Sequence, residues 1–489
     1  MTALNGITWR TVSVADRAGA VRSLLAEGHA FHMCFAEQGM NGIDLIYLFT
    51  QPDGGLLAVR APLGGVHEVE SLVEHLPALH WDEREIQDMY GVRFTGHPDP
   101  RPLLLPDEYQ GPPPLAPRQA RAVREPWRPH SLRQHGLVEV PVGPVHAGII
   151  ESGHFLFTTV GETILQLDAR LFWNHRGIEA NLAGRSIEDA LRIVERTCGS
   201  CSATHQEAFS QAVEAIAGME VATTTLALRA AILELERIYN HLNDLGQLAT
   251  GVALSILAQQ GMRLKERALR LQGAAFGHRY LFGAIRPGQV RQPSDLPALV
   301  KGLASLRDDS AAWAERLFAN AGFRDRLSGT GRVAKDAARS LGAVGPVARA
   351  SGIAADVRSD RPYGAYRSLR LSAQTKAAGD AFARAEIRRL ELAESFSLVL
   401  ALLQTGAEGS RQDPLPADIS GAAAAIVESP RGAETQFLRL SSGRIERMHL
   451  RSASFANWPL IMVASADNPI GDFPLINKSF ELCYACCDR

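Results

Sequence analysis

The sequence lacks both a strong charge bias and a long apolar run. Its 51 basic and 53 acidic residues nearly cancel, which leaves a formal net charge of −2. Nothing in this balance indicates nucleic acid or an anionic membrane surface as a partner. No apolar run reaches the roughly 18 residues that a membrane-spanning helix needs, so we expect no transmembrane segment in this chain. The opening "MTALNGITWR" lacks the basic and apolar regions of a secretory signal, which predicts a cytoplasmic chain that docks, if anywhere, on membrane partners.

Cysteine is also scarce. Six cysteines in 489 residues are too few for a disulfide scaffold. In a reducing compartment, paired cysteines are more often metal ligands or redox groups. With 46% hydrophobic and 21% charged residues, the composition is that of a globular protein with two or more domains.

We predict an α+β multidomain fold with a domain boundary near residue 115. Residues 43–63 read as two strand-forming runs around a Pro-Asp-Gly-Gly turn, which predicts a β-hairpin sheet in a small α/β domain over residues 1–115. Residues 116–138 are rich in proline and arginine and predict an extended linker. Residues 139–489 then predict a mainly α-helical domain with a small β element at its start.

Helical periodicity is clearest in "AILELERIYNHLNDLG". Leu235, Ile238, Leu242 and Leu245 recur there at helical spacing. Similar periods run through residues 303–323 and 376–403. These three segments predict the helical core of the second domain.

Four of the six cysteines form two Cys-x-x-Cys pairs. One pair is Cys198 and Cys201 in "ERTCGSCSATHQE", and the other is Cys483 and Cys486 in "FELCYACCDR". Each pair can chelate a metal through two thiolates, and two pairs brought together make a four-thiolate site. Helical spacing begins at Ser202, and a helix N-terminus favours thiolate over thiol.

Spacing alone leaves three kinds of site open. The first is a closed tetrahedral zinc site that ties the C-terminal segment into the core. The second is a redox-active metal site, and the third is a dithiol or a set of unrelated thiols. The long separation between the pairs weakens the zinc interpretation, because structural zinc modules usually draw their ligands from one short segment.

Both cysteine motifs and several other stretches resemble one family. "RTCGSCSATH" and "DFPLINKSFELCYACCDR" resemble the nickel-binding motifs of nickel-iron hydrogenase large subunits, in the complex-I-related, energy-converting or formate-hydrogenlyase branch. "GPVHAGIIESGHF", "HRGIE", "ELERIYNHLNDLG", "LGAVGPVARASGIAADVRSDRPY" and "ESPRG" agree in order. "HWDEREIQDMYGVRFTGHPDPR" resembles the 30 kDa subunit of complex I, which is fused to the large subunit in formate hydrogenlyase. The resemblance covers residues 43–489.

The resemblance implies a metal at the four cysteines. Cys198 and Cys483 match terminal nickel ligands, and Cys201 and Cys486 match ligands that bridge nickel to an iron carrying carbon monoxide and cyanide. The segment around Cys486 is then expected to be buried, although chain ends are usually exposed. The family inserts the metals with maturation factors and commonly removes an extension after the position of Arg489.

The resemblance also implies roles for three further residues. Glu151 matches the family's proton-relay glutamate, although a surface or capping carboxylate is the plain alternative. Arg431 matches the arginine that lies over the two metals, with an ordinary turn arginine as the alternative. His205, four residues after Cys201, is expected to donate a hydrogen bond to a bridging sulfur, and otherwise is a satisfied polar group.

Some features depart from the family or have no assigned step. Glu481-Leu482 stands where the family usually has Asp-Pro, and Cys487 takes a position that is usually threonine. An extra thiol beside a bridging ligand could compete for metal or oxidise. "HRGIE" and "DVRSDRPY" could equally be packed ion-pair networks. Cys34 reads as a lone buried thiol, and "HPDPR" as a rigid turn that docks on a partner subunit.

We therefore predict an enzyme, the catalytic large subunit of a nickel-iron hydrogenase that interconverts protons and dihydrogen. The resemblance implies an iron-sulfur small subunit, membrane subunits, and a peripheral position on the inner face of the cytoplasmic membrane. Iron-sulfur clusters are expected in the partner, since this chain has too few spare cysteines. Two alternatives stay open: a complex-I-like quinone subunit without nickel, and a zinc-tied structural subunit.

Overall fold

A computed structural model describes residues 6–117, 126–130, 132, 134–146, 150–405, 415–416 and 418–489. Residues 118–125, 131 and 133 of the predicted linker, and residues 147–149 of "GPVHAGIIESGHF", lie outside the described residues. The strands are β1 (Ile7–Thr11), β2 (Ala30–Gly39), β3 (Gly42–Thr50), β4 (Leu56–Pro62), β5 (Glu68–Glu70), β6 (Arg93–Thr95), β7 (Val138–Val142), β8 (His154–Val160), β9 (Thr163–Arg170), β10 (Ile285–Arg286), β11 (Gln289–Val290), β12 (Gly421–Ser429), β13 (Gly432–Ser441) and β14 (Arg444–Arg451). The helices are α1 (Arg17–Ala26), α2 (His80–Tyr90), α3 (Ile178–Leu182), α4 (Ile187–Val194), α5 (Ser202–Ala217), α6 (Thr223–Gly251), α7 (Ser255–Phe276), α8 (Leu296–Ala319), α9 (Ala321–Leu327), α10 (Lys335–Ser340), α11 (Gly345–Ala350), α12 (Val357–Asp360), α13 (Ala381–Thr405), α14 (Ala453–Ser465), α15 (Phe473–Phe480) and α16 (Tyr484–Asp488).

The N-terminal part is a small α/β domain, as predicted. Its four-stranded sheet has the order β1-β4-β3-β2, in which only β1 runs parallel to its neighbour. β3 and β4 form the predicted hairpin, with Asp44 opposite Pro62 and Thr50 opposite Leu56. The turn between them closes through a hydrogen bond from Gln51 N to Gly55 O of 2.8 Å.

Both faces of this sheet are buried. Alternate residues of a strand point to opposite faces, so Met33 and Phe35 pack with the helical domain in one apolar cluster. Cys34 and Ala36, on the other face, pack in a second cluster that contains α1 and α2 residues together with Trp458 of α14. The predicted boundary near residue 115 is therefore crossed by two continuous apolar cores.

The second part is mainly helical, as predicted. It begins with an antiparallel sheet of order β7-β8-β9. The periodic segment around Leu235–Leu245 lies inside α6, and the segment at 376–403 falls largely within α13. The period over 303–323 is divided between α8 and α9, because the side chain of Asn320 accepts a hydrogen bond from Phe323 N and starts a new helix.

A second sheet in this part was not anticipated. β12, β13 and β14 form an antiparallel meander that packs against α5. The run "GAAAAIVES" of β12 is rich in alanine, which has low strand propensity. Its strand conformation therefore depends on packing against α5 and β13.

The C-terminal segment folds back into the interior. α15 and α16 pack against α14, and Asp488 and Arg489 are 0% and 2% exposed. The expectation of a buried tail is confirmed. Within the described residues, no helix combines the length and the apolar character that crossing a bilayer requires.

Candidate metal centre

The first cysteine pair lies in a loop that two residues of α6 hold in place. Tyr239 Oη donates to Gly199 O at 2.8 Å, and Asn240 Nδ2 donates to Ser200 O at 2.7 Å. Both carbonyls lie between Cys198 and Cys201, so the loop backbone is tied to α6. Helix α5 begins at Ser202, as predicted.

A buried carboxylate accepts hydrogen bonds from the N–H groups at the start of α5. Glu236 accepts hydrogen bonds from Ala203 N at 2.7 Å and Thr204 N at 3.0 Å. Burial raises the pKa of Glu236 to about 7, although these hydrogen bonds lower it. The helix N-terminus thus stabilises Glu236 directly, which the sequence did not reveal.

The second pair is held by the N-terminus of α14. Cys483 N donates to Ser454 Oγ at 2.9 Å, and Ser452 Oγ donates to Cys486 O at 3.0 Å. Two neighbouring serines therefore fix both cysteine backbones. Neither serine carried a motif that identified it from the sequence.

The structure brings the two pairs together. The sulfur atoms of Cys198, Cys201 and Cys486 lie within 4.8 Å of one another, and Cys483 packs against them. Cys486 Sγ is 3.0 Å from Cys198 Sγ. The first three are 5%, 3% and 1% exposed, whereas Cys483 is partly exposed.

These thiols cannot all ionise unaided. Hydrogen bonds from Cys198 and Cys486 lower the pKa of Cys201 to about 6. Hydrogen bonding to Cys198, Cys201 and Cys483 raises the pKa of Cys486 well above its ordinary value, so a second thiolate beside the first is disfavoured. A bound cation offsets this effect. The donor set therefore fits a metal that accepts soft thiolate ligands.

His205 lies beside the sulfur group. Its Nε2 is 3.8 Å from both Cys198 Sγ and Cys486 Sγ. On the other side of the ring, Nδ1 donates to Glu434 Oε1 at 2.6 Å. Burial lowers the pKa of His205, but the charge of Glu434 and the hydrogen bonds to Glu434 and Cys198 together raise it, which favours a proton on both ring nitrogens. The ring is therefore oriented to donate toward sulfur, and Glu434 is a partner that the sequence did not identify.

Arg431 is buried next to the first pair. Its Nη1 donates to Asn240 Oδ1 at 2.8 Å, its Nε donates to Glu481 O, and its Nη2 lies 3.8 Å from Asp244 Oδ1. The neighbouring backbone is so close that a Cβ on Gly345 would collide with Arg431 O. The guanidinium is thus held rigidly by groups on α6 and at the end of α15.

Glu151 lies at the surface on the side of the second pair. Two residues later, an added Cβ on Gly153 would stand 2.8 Å from Tyr484 Cε1, so this segment packs directly against the residue after Cys483. Desolvation, followed by the charge of Cys483, raises the pKa of Glu151. The charge of Cys483 therefore affects the Glu151 carboxyl, although Glu151 is exposed to solvent.

A polar pocket, partly open to solvent, borders the loop that carries the first cysteine pair. Its volume is about 290 Å³, and Gly199 and Ser200 form part of its wall. Lys265 and Arg431 contribute positive charge to it. The space is large enough for several water molecules.

Cys487 and Glu481, which depart from the family pattern, lie in different surroundings. Cys487 is 0% exposed and packs in the apolar cluster that contains Phe155 and Trp458, outside the sulfur group. Burial raises its pKa well above the ordinary value. Glu481 caps α15 with a positive φ of 50°, and burial raises its pKa to about 8.

The "HRGIE" motif joins the two pairs. Arg176 Nη2 donates to Thr197 O at 2.7 Å and to Ala485 O at 2.9 Å. His175 Nδ1 donates to Asp488 O at 2.5 Å. The motif "DVRSDRPY" contributes Asp356 and Arg358 to a buried ion-pair network with residues of α6.

Three family models match different parts of the chain. Residues 176–250 match nickel-dependent hydrogenase. Residues 253–417 match the 49 Kd subunit of respiratory-chain NADH dehydrogenase, and residues 11–118 match its 30 Kd subunit. The last match coincides with the small α/β domain.

Curated relatives and a solved structure agree with these matches. Formate hydrogenlyase subunit 5 of Escherichia coli (strain K12) is 28% identical over 479 residues, covering 93% of this chain and 83% of the relative. The carbon monoxide-induced hydrogenase of Rhodospirillum rubrum is 31% identical over 359 residues, covering 72% of this chain and 99% of the relative. A chain of the membrane-bound sulfane sulfur reductase, an archaeal respiratory membrane complex, superposes with a TM-score of 0.67 at 26% identity, covering 72% of this chain and 99% of that chain. The chain therefore belongs to the nickel-dependent hydrogenase family, in the branch related to the 49 Kd and 30 Kd subunits of respiratory-chain NADH dehydrogenase.

Proposed function

We propose that this chain is the catalytic large subunit of a membrane-associated nickel-iron hydrogenase that interconverts dihydrogen with two protons and two electrons. The observation that carries the proposal is the convergence of Cys198, Cys201 and Cys486 within 4.8 Å, with Cys483 packed against them. The names of the relatives add support, since they include a formate hydrogenlyase subunit and a hydrogenase.

The four thiols have the chemistry to hold the metals. Cys198 and Cys483 would hold nickel, and Cys201 and Cys486 would hold nickel together with an iron that carries carbon monoxide and cyanide. When bound, this group supplies the redox chemistry that splits or forms dihydrogen. The protein's own contribution is to bury the thiols, set their spacing and supply charged groups around them.

Three side chains have proposed tasks around the thiols. Glu151 accepts or releases the proton at its carboxylate, which its surface position and raised pKa support. His205 donates from Nε2 toward the sulfur of Cys486 at 3.8 Å. Arg431 supplies a fixed positive charge, because Asn240 and Asp244 restrain its guanidinium.

The proposed reaction requires partners. Electrons need a route away from the thiols, and Cys34 and Cys487 are the two cysteines outside the pairs, both of them buried. We therefore propose an iron-sulfur small subunit as the electron carrier, membrane subunits as the anchor, and maturation factors for metal insertion. The assembly is proposed to lie on the inner face of the cytoplasmic membrane.

A complex-I-like quinone subunit without nickel is the second candidate. The matches of residues 253–417 and 11–118 to NADH dehydrogenase subunits favour it. The four clustered thiols disfavour it, because a quinone cavity needs no such donor set. Substituting Cys198→Ser separates the two functions, since quinone-linked activity should survive the change and hydrogenase activity should not.

The deciding measurement is infrared spectroscopy of the complex purified with its native partners, together with metal analysis. We expect bands from metal-bound carbon monoxide and cyanide, and nickel bound to this chain. In a fully matured sample, one equivalent of zinc without such bands would replace the proposal with a zinc-tied structural subunit. A sample with neither metal nor bands, but with quinone-linked activity, would support the complex-I-like reading.

A further inference from the structure

Helix α2 of the N-terminal domain contacts the segment that carries the second cysteine pair. Glu85 on α2 accepts a hydrogen bond from Arg489 Nη2, and Arg489 Nη1 also donates to Glu179 Oε1 at 3.0 Å. Arg489 N in turn donates to Ala485 O at 3.2 Å, within the helical turn that contains Cys486. The guanidinium of Arg489 therefore contacts α2, while its backbone N–H contacts the turn that contains Cys486.

A second chain of contacts connects the same two places. Asp82, three residues before Glu85 on the same face of α2, forms an ion pair with Arg451 Nε at 3.3 Å. Arg451 precedes Ser452, which donates to Cys486 O. Trp81 also packs edge-on against Phe455, with ring centroids 5.4 Å apart.

Arg489 neutralises the charge of Glu85. Glu85, Glu179 and His449 are close enough to resemble a cation site. However, Arg489 is paired with both carboxylates, and Arg447 Nη1 lies 2.7 Å from Glu179 Oε2. The protein's own guanidinium groups thus neutralise these acids, and the buried ion pair links α2 to the cysteine turn.

We propose that helix α2 positions the second cysteine pair, and that Glu85 is the positioning residue, acting through Arg489. This inference rests on the proposed function, because it gives the fused N-terminal domain a task at the metal-binding thiols. Glu85 touches neither metal nor sulfur. Its effect is to keep the turn of Cys486 in the position from which its thiol meets Cys198 and Cys201.

The test is Glu85→Gln in the complex purified with its native partners. Hydrogen-deuterium exchange of residues 484–489 should become about tenfold faster, because the buried anchor of this turn loses its charge partner. Nickel content should fall, and the infrared bands of the nickel-iron group should broaden or shift. The matched control is Glu68→Gln in the same domain, whose carboxylate is 54% exposed and 3.8 Å from Arg93; it should change neither readout.

Arg489→Gln removes the other partner without altering the N-terminal domain. It should produce the same faster exchange, and the double variant should be no worse than the worse single variant. Additive effects, or wild-type exchange and bands in Glu85→Gln, would overturn the proposal. If Glu85→Gln also loses protection in β2 to β4, the N-terminal domain has unfolded. In that case the exchange of residues 484–489 in Arg489→Gln decides whether the contact positions this turn.

The two proposals fail in different ways. Hydrogen exchange of residues 484–489 needs no metal. Faster exchange in the variants, with no infrared bands even in the matured wild-type complex, would support the positioning contact and reject the nickel-iron assignment. Infrared bands in the wild-type complex, together with unchanged exchange in both variants, would support the nickel-iron assignment and reject the positioning contact.

Discussion

Cys486 and Cys487 are neighbours in the chain, yet their side chains meet different surroundings. Successive side chains on a helix point about 100° apart. In α16 this rotation turns Cys486 toward Cys198 and Cys201, and Cys487 toward Phe155 and Trp458. Backbone geometry, and not thiol chemistry, therefore selects which cysteine can be a ligand.

This selection predicts opposite results for two substitutions. Cys486→Ser should reduce bound nickel to below about a tenth of the wild-type amount, because it removes a ligand from a preformed thiol set. Cys487→Ala should keep the nickel and the infrared bands, and should lower the free energy of unfolding by roughly 1 kcal/mol because of the small cavity. Metal analysis of the purified complexes checks both.

Cys34→Ala is the matched control for losing a buried thiol elsewhere, since Cys34 is 1% exposed and lies in the N-terminal domain. It should also keep the nickel. Loss of nickel in Cys487→Ala, but not in Cys34→Ala, would mean that Cys487 takes part in the site after all.

Sequence motifs identified the residues that carry the chemistry, but not those that hold them. The cysteines, His205 and Arg431 stand in short recognisable patterns. Glu434 comes from the middle of a strand, 229 residues away from His205, and pairs with it only through the fold. Ser454 likewise reads as an ordinary helix-start serine until Cys483 N is found 2.9 Å away. Contacts between residues so distant in sequence leave no local periodicity to read.

At the scale of elements, the turn "HPDPR" after β6 joins the two parts of this chain. Asp99 accepts from Arg84 Nη1 at 2.9 Å and from Arg101 Nε at 2.6 Å. Arg101 Nη1 also donates to Asp168 on β9 at 2.7 Å. These contacts lie within the chain, and the docking of this turn on a partner subunit stays a prediction.

The free energy of unfolding should fall at acid pH as Asp99 becomes protonated. Burial raises the pKa of Asp99, but the hydrogen bond from Arg101 and the charge of Arg84 outweigh it and hold the pKa well below its usual range. A lowered pKa stabilises the fold at pH values above that of the unfolded carboxyl, about 3.9, and this contribution is lost as the pH falls further. Asp99→Asn should therefore reduce the free energy of unfolding at pH 7, by on the order of 3 kcal/mol. Thermal unfolding between pH 3 and pH 7 checks this.

The difference between wild type and Asp99→Asn should shrink as the pH falls below about 4. Asp308→Asn is the control, because its pair with Arg307 is exposed and should contribute less than about 1 kcal/mol at any pH. A difference for Asp99→Asn that is the same at pH 3 and pH 7 would contradict the assignment.

The elements that the sequence predicted well have strong local signals. The β3–β4 hairpin has a Gly-rich turn between β-branched runs, and α6 has a regular apolar period. β12 lacks such a signal, because four consecutive alanines suit a helix better than a strand. Tertiary packing against α5 decides its conformation.

At the scale of the whole molecule, the chain carries one thiol-rich site and little capacity for another. Cys34 and Cys487 lie outside the pairs, and they are 1% and 0% exposed. An iron-sulfur cluster needs several thiolates at one place. The proposed electron carrier must therefore be another subunit.

This chain, produced with its maturation factors but without the small subunit, should bind nickel and iron and contain no acid-labile sulfide. The complex with native partners should contain sulfide in the amounts expected for whole clusters. Sulfide analysis of the two preparations, normalised to this chain, makes the comparison. Sulfide bound to the isolated chain would show that it holds a cluster of its own.

The distance along the chain between the two cysteine pairs also sets a timing for synthesis. Cys198 and Cys486 are 288 residues apart. At translation rates of about 5 to 20 residues per second, the ribosome takes about 15 to 60 s to make that stretch. Throughout this time the first pair exists without the second, so every new copy of the protein passes through a stage with a half-built, oxidisable thiol loop. Completion of the site is therefore a late event in the synthesis of each chain.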